Sequence, residues 1–187
     1  MPNWVYNYLD VAGDPADITA LREAMAKPYE THFPDTKWND ETKVWEKTPA
    51  VQQVNPIFSF WNIVSPTNLE AYYGESYKST ESNIFAAIAD QTQNGNDWYN
   101  WNVRTWGTKW DAGDVEIVYE DDSAIQYKFD TAWSPPIEAI NLLAANYPTL
   151  SFTLDYEEET GWGGSVLWHH GTMQQSSEYQ ESDVLTP

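Results

Sequence analysis

The sequence predicts an α+β fold in two layers, a four-stranded antiparallel sheet carrying two helices on one face. Three observations predict it. Apolar and polar residues alternate in four separate stretches, amphipathic helical runs follow the first and the third, and a long segment separates the first helix from the second strand. A chain of 187 residues with 41% apolar content suffices for one core, so a single domain over 1–187 is expected.

The first stretch, residues 4–11, places Val5, Leu9 and Val11 on one face and Trp4, Tyr6 and Tyr8 on the other. Asp14-Pro15 supplies an N-cap followed by proline at the first helical position. Ile18, Leu21 and Met25 then recur at helical spacing until Lys27-Pro28 ends the run. Residues 29–110 read as an inserted, mostly helical or loop elaboration. Ser65-Pro66 opens a short helix closed near Gly74, and Ile84, Ala87 and Ile88 share one face of another. Residues 115–120 alternate through Val115, Ile117 and Tyr119 into the turn Asp121-Asp122-Ser123, and residues 124–131 return with Ile125, Tyr127 and Phe129 on one face. Ser134-Pro135 opens the second helix, with the stripe Ile137, Ile140, Ala144, and Tyr147-Pro148 ends it. In the fourth strand, 150–157, Leu150, Phe152, Leu154 and Tyr156 alternate with Ser151, Thr153, Asp155 and Glu157. Residues 160–164 read as a glycine-rich turn, 166–168 as an extra edge strand, and the polar stretch 172–187 as a flexible tail. The order β-α-(insertion)-β-β-α-β is the split βαβ, ferredoxin-like, two-layer sandwich.

Twenty-nine acidic residues against nine Lys and Arg give a net charge of −20, and no Lys or Arg follows Lys128. That balance disfavours direct binding to nucleic acid or to an anionic membrane. No apolar run approaches the roughly 20 residues needed to cross a bilayer, and the chain opens without a basic and apolar leader. An intracellular protein, cytoplasmic in its host, is expected. The absence of cysteine excludes disulfides and thiolate metal sites. No cofactor is expected and no metal, because neighbouring side chains such as His169 and His170 point to opposite faces of an extended segment.

Two sets of residues are candidates for partner binding. The acidic set comprises Asp121, Asp122, Asp155, Glu157, Glu158 and Glu159. Asp155, Glu157 and Glu159 fall on the wet face of a strand, where they serve either as a solvated surface or as a row that meets a basic groove or a hard cation. Asp121-Asp122 is turn chemistry first. The aromatic set is Trp98 and Trp101, in a string with Tyr99, Trp106 and Trp110 and with Arg104 and Lys109 nearby. Such a string is either an interface hot spot or the closure of a core beneath a turn at Gly107, with Lys109 stacked on a ring. A carboxylate pair such as Asp130 with Glu138 would suit glycoside chemistry. No glycine-rich phosphate loop, serine-triad string or HExxH helix accompanies it.

Three segments, 1–7 (Met-Pro-Asn-Trp-Val-Tyr-Asn), 97–111 with its Trp106-Gly107-Thr108-Lys109-Trp110-Asp111, and 129–136 with its Ala132-Trp133-Ser134-Pro135-Pro136, resemble the YubB-type ferredoxin-like family carried by phages and plasmids. Residues 150–164 are similar too. The resemblance implies a ferredoxin-like fold and a mobile-element origin; it implies no iron–sulfur cluster and transfers no catalytic residue. The expected function is therefore a phage- or plasmid-type accessory protein, not an enzyme. It would bind a host protein, such as a basic nucleic-acid-handling or defence complex, through an acidic DNA-mimicking surface, in the anti-CRISPR or anti-restriction manner. The alternatives are a carboxylate-based enzyme or binder acting on a glycan or nucleotide, and a self-assembling structural protein that uses its sheet edge.

Overall fold

The computed structural model describes residues 3–33, 36–47, 51–74 and 97–180. Contacts divide the chain into two compact units, one drawn from Met1–Lys27, Pro56–Ser65 and Asn102–Pro187, the other from Pro28–Asn55 and Pro66–Trp101.

The first unit is built on a six-stranded antiparallel sheet. Its strands are β1 (Trp4–Ala12), β6 (Gly113–Glu120), β7 (Ala124–Ala132), β8 (Ser151–Glu158), β9 (Trp162–His169) and β10 (Thr172–Gln180), in the order β10-β9-β8-β1-β7-β6. Strands β8-β1-β7-β6 are the four expected from the sequence, and they stand in ferredoxin-like order. Helices α1 (Pro15–Met25) and α5 (Ile137–Asn146) cover one face. Asp14 caps α1 by accepting from the Ala16 amide, as its position before Pro15 predicts.

Pairing register stacks the buried residues in rows across the strands: Ile125, Val11, Phe152 and Trp168, then Tyr127, Leu9, Leu154 and Val166. Ile18, Leu21 and Met25 of α1, with Ile140, Leu143 and Ala144 of α5, close this layer. The segment around α2 (Phe60–Ile63) adds Phe58, stacked on Phe129 at 5.5 Å, and Phe60, edge-on to the same ring.

The far end of the sheet departs from the sequence reading. Residues 172–180, expected as flexible tail, form edge strand β10, paired with β9 from Thr172↔His169 to Gln180↔Trp162. The strand is wet on both faces, so it has no apolar alternation to read; backbone pairing holds it. Gly163 and Gly164 lie inside β9 rather than in the turn. A Cβ on Gly163 would sit 2.6 Å from the Tyr179 hydroxyl, and one on Gly164 would sit 2.5 Å from the Tyr156 hydroxyl. The two tyrosines thus lie over the bare glycines from opposite faces. On β6 a bulge between Ile117 and Tyr119 breaks the expected alternation and pairs Tyr119 with Gln126 on the face away from the helices.

In residues 29–110, read from the sequence as a mostly helical or loop insertion, the second unit also holds short strands that the sequence reading did not include. Its described residues include β2 (Tyr29–Thr31) paired with β5 (Gln52–Val54), and β3 (Thr36–Asn39) paired with β4 (Val44–Lys47). The short helix before Gly74 is present as α3 (Leu69–Tyr73). The helix expected around Ile84, Ala87 and Ile88 lies outside the described residues. Trp98, in the first turn of α4 (Trp98–Trp106), packs on Phe33 at 5.8 Å, and Trp101 packs on Tyr72 at 5.5 Å. Among the described residues no helix is long and apolar enough to cross a membrane.

Candidate functional site: the open face of the sheet

Alternation in β1 that buries Val5, Leu9 and Val11 must turn Trp4, Tyr6 and Tyr8 to the side away from α1 and α5, which among the described residues of the first unit no helix covers. The register assembles their neighbours. One row runs Asp130, Tyr6, Glu157, Gly163, Tyr179, and the next runs Lys128, Tyr8, Asp155, Ser165, Ser177. Asp10 stands beside Gln126, and Glu116 of β6 faces Lys128. Asp10, Glu116, Asp130, Asp155 and Glu157 therefore share one surface, and in these paired rows of the described residues Lys128 is the cation among them. Between the β1 tyrosines and Tyr179 the small residues Gly164, Ser165 and Ser177 leave a hollow of about 540 Å³, lined also by Asp155 and Glu157.

The electrostatics match this crowding. Burial, then the nearby charge of Asp114, pushes the Asp130 carboxyl above its ordinary 3.8; Lys128 opposes the shift and Glu116 adds to it. A carboxyl whose folded pKa is raised favours the folded state in its protonated form. That contribution is full below 3.8 and is lost as pH rises through the raised value. Asp130→Asn is accordingly expected to stabilise the protein at neutral pH by up to about 0.5 kcal/mol for this half-buried, partly screened group. The gain should vanish near pH ~3, as thermal melts at the two pH values would show.

The structure separates the residues singled out in the sequence. Asp155 and Glu157 are on the open face, and Glu159 follows them exposed, lining a second hollow with Tyr6 and Tyr179. Glu158 is the exception to the acidic surface. It is 2% exposed on the helix side, and its Oε2 accepts from the Thr160 amide at 2.7 Å and hydroxyl at 2.5 Å. The Thr160 hydroxyl is the first cause of a Glu158 carboxyl held below its usual value.

Asp121 does turn chemistry, accepting from the Ser123 and Ala124 amides and from the Tyr119 and Ser123 hydroxyls; Asp122 sits exposed beside it. That turn lies six residues along β7 from the row of Glu157, about 20 Å away. Trp98 and Trp101 make their ring contacts inside the second unit. Asp130 is on the open face and Glu138 on the helix layer, so they form no pair. His169 and His170 do not diverge as an extended segment would have them, because His170 turns left-handed (φ 51°) and brings the rings to 3.9 Å. The His169 Nδ1 meets Ser151 Oγ at 2.7 Å. Among the described residues no three His, Asp or Glu side chains gather as metal ligands.

The segments that carry the family resemblance converge at one end of the first unit. Thr108 Oγ1 donates to the Ala132 carbonyl (3.0 Å), Ser134 Oγ to the Gly107 carbonyl (2.5 Å), and the Trp133 amide to the Asn3 carbonyl (2.9 Å). The Lys109 ammonium lies 4.4 Å from the Trp110 ring and 4.6 Å from the Trp133 ring, and Trp4 packs on Trp110. The string Trp-Gly-Thr-Lys-Trp-Asp is thus a structural knot. Gly107 takes a left-handed φ of 83° at its turn.

What sequence reasoning missed is Tyr179, along with the grouping of Tyr6, Tyr8, Asp10 and Asp130 with the β8 acids. The β1 aromatic alternation was the available signal for the first two; Tyr179 lay in a stretch read as tail.

Residues 105–184 match the family model described as "Ferredoxin-like domain in Api92-like protein". Among solved structures, the crystal structure of protein api92 from Yersinia pseudotuberculosis is similar to this chain with a TM-score of 0.54. The two are 13% identical, and the match covers 96% of this chain and 98% of that one. No curated protein matches the chain. The comparisons agree with the strand order on one conclusion: the fold is ferredoxin-like, an antiparallel sheet with few helices, similar to that of the Api92-like proteins.

Proposed function

We propose that the protein is a non-catalytic accessory protein of the phage or plasmid type. Its open sheet face binds a basic surface of a host protein, of the kind that otherwise holds nucleic acid. The observation that carries the reading is the gathering of Asp10, Glu116, Asp130, Asp155 and Glu157 on the sheet face away from α1 and α5, with Lys128 as the only cation in these rows among the described residues. A charge of −20 spread evenly would repel nucleic acid without selecting a partner; the same sign concentrated on one face meets a complementary groove and speeds encounter. The resemblance to mobile-element proteins supports the accessory role.

The test is affinity capture from host lysate over a salt series, with two double variants. Asp155→Asn with Glu157→Gln is expected to lower affinity several-fold, mainly through the association rate, and to leave the isolated protein as stable or more so. Asp121→Asn with Asp122→Asn, at the remote turn, is expected to change little. Binding indifferent both to salt and to the first pair would sink the proposal, since exposed charges are screened beyond roughly 8 Å near physiological ionic strength.

A further inference from the structure

The acidic face has one place shaped for more than charge. Tyr6, Tyr8 and Tyr179 are each about 40% exposed, and they stand as two walls over a floor of small residues and two carboxylates. Tyr6 and Tyr179 occupy one row three strands apart, roughly 14 Å between backbones. The Tyr179 ring leans back over Gly163, so the trough is narrower at its mouth than its backbone spacing. Asp155 and Glu157 alternate along β8 and rise from the floor about 7 Å apart.

We propose that this trough takes the arginine side chains of an extended basic segment, an inference that rests on reading the open face as a docking surface for a basic protein. A guanidinium is planar and weakly hydrated, so it stacks on a phenol ring while its edge donates two hydrogen bonds to a carboxylate. The trough offers both partners side by side. A lysine ammonium, compact and strongly hydrated, uses the carboxylates but gains less from the rings. Phosphate and nucleic acid meet two carboxylates and are repelled. Lys128 bounds the trough at the Tyr8 end and sets a limit to where the guanidinium lies. The carboxylates' field reaches across the trough: the Tyr179 phenol is held above its usual value first by desolvation and then by Glu157 and Asp155.

The probes are two end-blocked peptides of equal length and charge, one alternating arginine with glycine and one alternating lysine with glycine, titrated calorimetrically into the full chain. The arginine peptide is expected to bind on the order of 5- to 10-fold more tightly. Tyr8→Leu with Tyr179→Leu should erase that preference while leaving salt-dependent binding of both peptides. Tyr8→Phe with Tyr179→Phe, which keeps the rings, should retain it; circular dichroism of each variant checks the fold. Equal affinity for the two peptides, or a preference that survives loss of the rings, overturns the trough as an arginine site. If salt-sensitive, Asp155- and Glu157-dependent capture of a host protein persists in that case, the acidic-face reading stands without it. If that capture fails as well, both are wrong.

Discussion

Replacing Trp168 with alanine is expected to cost about 3–5 kcal/mol of folding stability, the range for truncating a buried tryptophan. The ring is fully buried, paired across to Phe152 on one side and Met173 on the other, and its Nε1 donates to Asn141 Oδ1 at 2.6 Å. It ties β9 to α5, and β10 hangs on β9. Urea unfolding would show the loss as a lower midpoint. Trp168→Phe separates the two contributions, because it keeps most of the packing and deletes the hydrogen bond; about 1–2 kcal/mol is expected from that bond alone. Since Tyr179 stands on β10, the alanine variant should also lose its discrimination between arginine and lysine peptides. A variant as stable as the parent would show that β9 and β10 are not anchored through this ring.

Asn7→Asp is expected to destabilise the protein at neutral pH by about 3–5 kcal/mol, comparable to stranding a buried charge. Asn7 is fully buried in the middle of β1, the one polar residue in its inward series. Its Nδ2 donates to the carbonyls of Val5 (2.8 Å) and Phe129 (3.2 Å) and to Thr131 Oγ1 (3.0 Å). A carboxylate there offers no donor and faces two carbonyl oxygens. Burial raises the pKa of the new carboxyl in the folded state above its unfolded value near ~3.9. The penalty is therefore absent below that value and grows as pH rises through the folded one. Denaturant midpoints measured from acid to neutral pH should fall steadily for the variant relative to its parent. A pH-independent difference would mean that the carboxyl escapes to solvent and that Asn7 is not holding β1 to β7.

Asn7 also shows why the knot at the sheet end was hidden. It is among the residues that carry the family resemblance, and so are Thr108, Trp133 and Ser134. Their chemistry is hydrogen bonding to backbone carbonyls that are distant in sequence, and no local pattern reveals such a partner.

Strands β1, β7 and β8 and helices α1 and α5 were legible in the sequence because each buries one face, whereas β6, which buries none of its residues, was legible only from the alternation of Val115, Ile117 and Tyr119 before the Asp121 turn. A face packed on a core imposes a period of two or of 3.6 residues on the chain. The Asp14-Pro15 cap and the Asp121 turn were legible for a related reason, since their hydrogen bonds close within a few residues. The charge of −20 and the absence of Lys or Arg after Lys128 were equally a property of the chain alone. Tertiary structure decided the rest. It made an edge strand of a stretch with no apolar period, and set Tyr179 beside Glu157 and Tyr6 through pairing register. A surface assembled from four strands depends on which residues stand opposite one another, and register is fixed by long-range hydrogen bonds and packing that leave no mark on any one segment.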